Sequence, residues 1–171
     1  ALPISVEDQV DRSAWARLND IVYEPRRVPI HKDRDEFFHL PKAEQTMLLH
    51  SFGSLALSST LQMKVSLSKI KQDAENSEEA AVYNALQYLE SINNKAYGHA
   101  LSEFSTSDEQ RDEAFNWASQ NPYLQKKMRL LNTVYQSENA IQKKAAHVFL
   151  STGLYHSSFF GPLYLFGQHK L

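Results

Sequence analysis

Apolar residues recur at helical spacing along most of the chain, and no run alternates apolar and polar positions for long enough to make a strand. The pattern predicts an all-α fold. A first helix is expected over Val6–Asn19, followed by the segment "YEPRRVPIHKD", where Pro25 and Pro29 exclude a regular helix. Pro41 suits the first turn of a long helix through "KAEQTMLLHSFGSLALSSTLQMKVSLSKI". Ser77 is placed to cap the next one, "EEAAVYNALQYLESINNKAYGHALSEF", whose first turn is acidic. Thr106 and Glu109 have capping-box spacing ahead of "QRDEAFNWASQ", and Pro122 opens "YLQKKMRLLNTVYQ". Ser137 or Asn139 precedes a last long helix running into "VFLSTGLYHSSFFGPLYLFG". No internal repeat, low-complexity tract or interdomain linker interrupts this order. Residues 1–171 therefore read as a single helical domain, with an N-terminal helix and extended segment over 1–34 and long bundle helices over 35–171.

Composition narrows the function classes. Hydrophobic residues make up 42% and charged residues 22% of the 171, the balance of a folded globular chain. A net charge of -2 gives no electrostatic reason to expect nucleic acid as a partner, and "QKKMR" and "QKK" read as solvated helix faces. The chain has no cysteine, which removes disulfides, thiolate zinc sites and cysteine nucleophiles together. The start "ALPISVEDQV" lacks the basic and apolar regions of a signal peptide, so the expected location is cytoplasmic. Val148–Gly167 runs twenty residues without Asp, Glu, Lys or Arg, a length sufficient to span a bilayer. Its hydroxyl-bearing residues, His156 and Pro162 favour a helix buried in a bundle instead, and no membrane is expected as a partner.

Candidate chemistry concentrates in "YLESINNKAYGHA", residues 88–100. On a helix, Glu90, Asn93 and Tyr97 share one stripe. Di-iron and di-manganese bundles present a Glu-x-x-His pair from such a stripe; here asparagine stands where the histidine would be. The two longest helices would span roughly 40 Å each at their length, and mid-helix polar residues in helices of that length point to a ferritin-like bundle. His99 lies nine residues from Glu90, on the opposite side of the helix, and His156 is off the stripe of Ser151. The spacing of His147, His156 and His169 is no metal signature. No Gly-rich phosphate loop, nucleophile elbow or Ser/His/Asp arrangement is visible.

The stretches "VPIHKD", "FGSLALSSTLQ", "YLESINNKAYGHALSEF", "FNWASQNPYLQKKMRLL" and "VFLSTGLYHSSFFGPLYLFGQHKL" give a more specific lead through their order and spacing. From about Trp15 to Leu171 the chain resembles the first half of the small, radical-bearing subunit of class I ribonucleotide reductase, nearest the bacterial subclass that uses manganese or iron. The resemblance implies an incomplete ferritin-like bundle and places the family's metal-ligand positions at Ser59, Glu90, Asn93 and Ser151. Three of these are neutral, and Glu90 is the one expected ligand that remains. It also matches the family's radical tyrosine to Tyr97 and the first residue of its radical path to Tyr23.

Two metal ions need several anionic oxygens and imidazoles, which serine hydroxyls and an asparagine amide do not supply. The expectation is therefore a degenerate small-subunit-like pseudoenzyme, not catalytic alone and without a cofactor, acting as a helical structural or interaction module. Glu90 is expected to pair with Lys95 or an asparagine, or to face solvent. The alternative is the N-terminal half of a split or metal-free subunit that supports deoxyribonucleotide synthesis through Tyr97, with iron or manganese bound if a companion chain completes the site. Half a bundle leaves apolar helix faces uncovered, so the expected partners are a second copy, a companion chain, or a ribonucleotide reductase subunit or larger assembly.

Overall fold

The computed structural model describes residues 6–168, with side chains from residue 9 onward. The helices are α1 (Val6–Asp20), α2 (Arg34–His39), α3 (Lys42–Leu61), α4 (Leu67–Lys71), α5 (Ser77–Phe104), α6 (Asp108–Gln120), α7 (Pro122–Tyr135), α8 (Ala140–Phe149) and α9 (Phe160–Gly167). No strand occurs among the described residues, as the periodicity required. The segment with Pro25 and Pro29 forms two short 3-10 turns, Pro25–Arg27 and Ile30–Asp33, and α2 is a short helix that the pattern did not separate.

The two longest predicted helices exist, with one change. A π turn, Gln62–Ser66, joins α3 to α4 without breaking the rod. In this turn the Met63 carbonyl accepts from Gln87 Nε2 at 2.7 Å and from Ser68 Oγ at 3.3 Å, so side chains meet backbone valence that the wider turn frees. The last predicted helix is broken more severely. After α8 come a π turn at Leu150–Leu154, a 3-10 turn at His156–Phe159, and then α9.

Two caps differ by one residue from expectation. Asn76, not Ser77, caps α5, because Asn76 is the residue with extended backbone and its Oδ1 accepts from Glu79 N at 2.7 Å. The capping box at α6 is Ser107 with Gln110, whose Oε1 accepts from Thr106 N at 2.8 Å, rather than Thr106 with Glu109. Of the two residues expected ahead of α8, Asn139 is the cap, accepting from Gln142 N.

Helices α3 and α5 form the backbone of the bundle. Cross-contacts at Ser59–Glu90, Ala56–Asn94 and Met63–Gln87 fall as one number rises, so the two run antiparallel. α3 and α6 are antiparallel for the same reason: Gly53 meets Ala114, and His50 stacks on Trp117 with ring centroids 4.0 Å apart. α3 buries serines as well as leucines; the hydroxyl of buried Ser54 donates to the His50 carbonyl on its own helix, as that of half-buried Ser51 does to the Met47 carbonyl.

The core has two parts. One gathers Phe37, Leu48, Leu49, Leu101, Phe104 and Leu165; the other gathers Leu55, Ile70, Leu131, Tyr135, Leu150 and Tyr155. Each such aliphatic side chain contributes about 1.5–3 kcal/mol by leaving water. Around the chain's last helices the picture reverses: Phe149 is 64% exposed, Phe160 64%, Leu163 61% and Phe166 71%. No helix among the described residues is long and apolar enough to cross a membrane.

Candidate functional site

Glu90 points from the middle of α5 toward α3, where Ser59 sits fully buried. Ser59 Oγ lies 2.8 Å from the Glu90 carbonyl and 2.9 Å from its Oε2, close enough to donate to either. Burial raises the Glu90 pKa, and the Ser59 hydrogen bond opposes that shift. Neither Lys95, which is exposed, nor an asparagine is the hydrogen-bond partner of Glu90. Asn94 is engaged elsewhere, its Nδ2 donating to the Ala56 carbonyl at 2.7 Å and to Thr60 Oγ1 at 3.0 Å.

One turn along the stripe, Asn93 Oδ1 accepts from the Tyr23 hydroxyl at 3.1 Å, tying the segment after α1 to α5. Tyr97 is the next residue on the stripe, edge-on to Phe159 at 6.3 Å between ring centroids. Burial, then the Glu90 charge, raises the phenol pKa of Tyr97, and the same two causes act on Tyr23. Tyr23 and Tyr97 also line a cavity of about 470 Å³ whose other walls include Phe52, Phe104, Pro162 and Phe166.

Glu90, Asn93 and Tyr97 lie on the one continuous helix α5, and the fold brings Ser59 and Tyr23 to them. It does not bring Ser151. That residue lies in the π turn after α8, and its side chain is exposed. Tyr155 and Gln62 are the residues that sequence reasoning missed. The Tyr155 ring is buried, and its hydroxyl faces Gln62 and Ser59; burial, followed by the Glu90 charge, raises its pKa. Helical spacing was the available signal, since Gln62 stands three residues after Ser59 and Tyr155 four after Ser151. Among the histidines, His156 is exposed, His147 is half-buried with Nδ1 unpartnered, and His169 lies outside the described residues.

The arrangement is one carboxylate facing one hydroxyl, with three phenols near it. At the four positions that the resemblance matches to metal ligands, Ser59 Oγ lies within hydrogen-bond distance of Glu90 Oε2, Asn93 Oδ1 accepts from Tyr23, and Ser151 is exposed. No group of three or more His, Cys, Asp or Glu side chains is placed to hold a metal among the described residues.

The sequence profile of the family described as "Ribonucleotide reductase, small chain" matches residues 4–171. A ribonucleoside-diphosphate reductase subunit beta from Mycobacterium tuberculosis is 34% identical over 164 residues, covering 96% of this chain and 51% of its own. One from Escherichia coli is 30% identical, covering 97% and 52%. Among solved structures, the dimanganese(II) form of NrdF from Streptococcus sanguinis superposes with a TM-score of 0.91 at 35% identity, covering 99% of this chain and 60% of its own. The chain thus spans about half the length of the curated relatives it matches.

Proposed function

The chain belongs to the ribonucleotide reductase small-chain family, and from that premise we propose that it is a member with a degenerate metal site that serves as a helical interaction module. The observation that carries this reading is the Ser59–Glu90 hydrogen bond. The one carboxylate on the stripe is spent on a neighbouring hydroxyl from the position where the family has another carboxylate. A lone carboxylate with neutral neighbours lacks the charge to hold two multivalent ions. The partner surface in this reading is the exposed apolar face around Phe149, Phe160, Leu163 and Phe166, covered by a second copy or a companion chain. Neither nucleic acid nor membrane is among the partners.

A second reading is favoured by a specific observation. Tyr23 and Tyr97 line the same cavity, and the Glu90 charge acts on both phenols. The positions matched to the family's radical tyrosine and radical path therefore remain aromatic and adjacent. In this reading the chain is half of a split or metal-free small subunit and supports deoxyribonucleotide synthesis through Tyr97, with a companion chain supplying what these residues lack.

Metal analysis and an electron paramagnetic resonance spectrum of protein purified from its native source separate the two. The interaction module gives neither stoichiometric iron or manganese nor a tyrosyl signal. Either result would overturn it in favour of the second reading.

A further inference from the structure

The cavity lined by Tyr23 and Tyr97 is walled mostly by residues that the candidate site does not use. It measures about 470 Å³ and draws its walls from four separate elements: Ile30 from the turn before α2, Leu48 and Phe52 from α3, Phe104 from α5 and Pro162 from α9. Leu48, Ala100 and Phe104 in this lining are buried, whereas Val28 and Phe166 are exposed, so the cavity opens between the segment after α1 and α9. Ala96 and Ala100, four residues apart on one face of α5, present only methyl groups where a longer side chain would fill the space.

The volume and the lining together define the guest. An apolar cavity of about 150 Å³ is enough for benzene, and ligand pockets run from about 300 to 1,000 Å³. A partner chain inserting one phenyl ring would therefore leave most of this space empty, and voids forfeit packing contacts. No Lys, Arg or His lines the cavity to pair with an anion, and its one carboxylate, Asp33, is exposed. The remaining polar residues are Tyr23 and Tyr97, and the Tyr23 hydroxyl already donates to Asn93 Oδ1. A charged guest would lose its hydration without gaining a buried partner. The rings of Phe52, Phe104 and Tyr97 instead offer faces and edges to a flat aromatic body.

We propose that this cavity is a binding site for a small, uncharged, mainly aromatic molecule of about two fused rings, entering between Val28 and Phe166. The two phenols accommodate at most a single hydroxyl or carbonyl on the guest. The assignment rests on neither reading above, since no metal, radical or partner chain enters it, and the metal and resonance measurements leave it untouched.

Titration of the full chain with 1-naphthol, followed by the probe's fluorescence and by amide chemical shifts, tests it. The expected result is one probe per chain with a dissociation constant of roughly tens of micromolar, and shift changes concentrated at Ala96, Ala100 and Phe104. Ala100→Leu should weaken binding by about tenfold or more, with Ala96→Leu taking its place if that variant does not fold. 1-Naphthoate, the same rings carrying a charge, should bind about tenfold more weakly or worse. The variant Phe149→Asp/Phe160→Asp, on exposed surface outside the cavity, should leave the titration unchanged. No binding to the parent chain would overturn the proposal, including where a second copy closes the mouth. Equal affinity for 1-naphthoate, or binding lost in the surface variant and kept in the leucine variants, would overturn it as well.

Discussion

Ser59 and Glu90 face each other across the α3–α5 interface, with Ser59 Oγ 2.9 Å from the carboxylate Oε2. Removing the hydroxyl leaves a half-buried carboxylate without that donor. Ser59→Ala should therefore cost about 1–3 kcal/mol, the range for orphaning a buried polar partner. Glu90→Gln should behave oppositely at neutral pH, because its amide oxygen can still accept from Ser59 while the desolvated charge is gone. Urea unfolding of both variants checks the pair; a Glu90→Gln protein less stable than Ser59→Ala would contradict the account.

The junction of α8 with the start of α5 should set much of the pH dependence. Glu79 Oε1 lies 2.6 Å from Lys144 Nζ and accepts from the Tyr83 hydroxyl at 2.8 Å, while its Oε2 accepts from Glu75 N at 2.8 Å. Burial alone would raise the Glu79 pKa, but these three partners outweigh it and hold the carboxyl below its ordinary value. A folded-state pKa below the unfolded one gives stability that is present above the unfolded value and lost as pH falls through the folded one. Lys144 is shifted upward, chiefly by its hydrogen bond to Glu79, so its contribution is present below the usual lysine range and lost as pH rises beyond its folded value. The stability difference between the parent and Glu79→Gln should be about 1 kcal/mol at neutral pH. It should shrink on acidification below the ordinary glutamate pKa of about 4.3. Thermal melts of both proteins across that range measure it.

Gly53 should be intolerant of any side chain. A Cβ there would come within 2.9 Å of the Ala114 carbonyl oxygen and 3.1 Å of its carbon, both backbone atoms of α6 that cannot swing aside. Gly53→Ala must push α3 and α6 apart, which loosens the His50–Trp117 stack next to it. The expected cost is about 1–3 kcal/mol, with an altered Trp117 fluorescence spectrum. Gly98→Ala is the control, since nothing lies within 4 Å of its added Cβ; equal losses at both sites would argue against close packing as the cause.

The exposed apolar face predicts self-association or pairing. At micromolar concentration the purified chain should scatter light as a species larger than its monomer, and the double variant Phe149→Asp/Phe166→Asp should lower that mass while leaving the helical circular dichroism intact. A monodisperse, well-folded monomer of the parent chain would sink the interaction-module reading.

Much of this molecule was legible in one dimension. Helical periodicity gave the α class, and the proline positions gave the starts of α3 and α7. The offset of three and seven residues put Glu90, Asn93 and Tyr97 on one stripe, because a helix fixes those directions without help from the rest of the chain. Caps were legible only to within one residue, since neighbouring Asn, Ser and Thr compete and the entering backbone selects among them: Asn76 over Ser77, Ser107 over Thr106.

What the tertiary structure alone decided was everything that depends on a change of winding or on a contact between distant segments. The π turns at Gln62–Ser66 and Leu150–Leu154 leave no period of their own in the sequence, yet the first is met by Gln87 from another helix. The second lies where Ser151 stays exposed and Tyr155 is buried. Nor does periodicity along one segment place Tyr23 on Asn93 or Ser59 on Glu90, because each pair joins elements many residues apart in the chain. Local spacing fixes which side chains share a face of one helix; only the packing of helices against each other decides what that face meets.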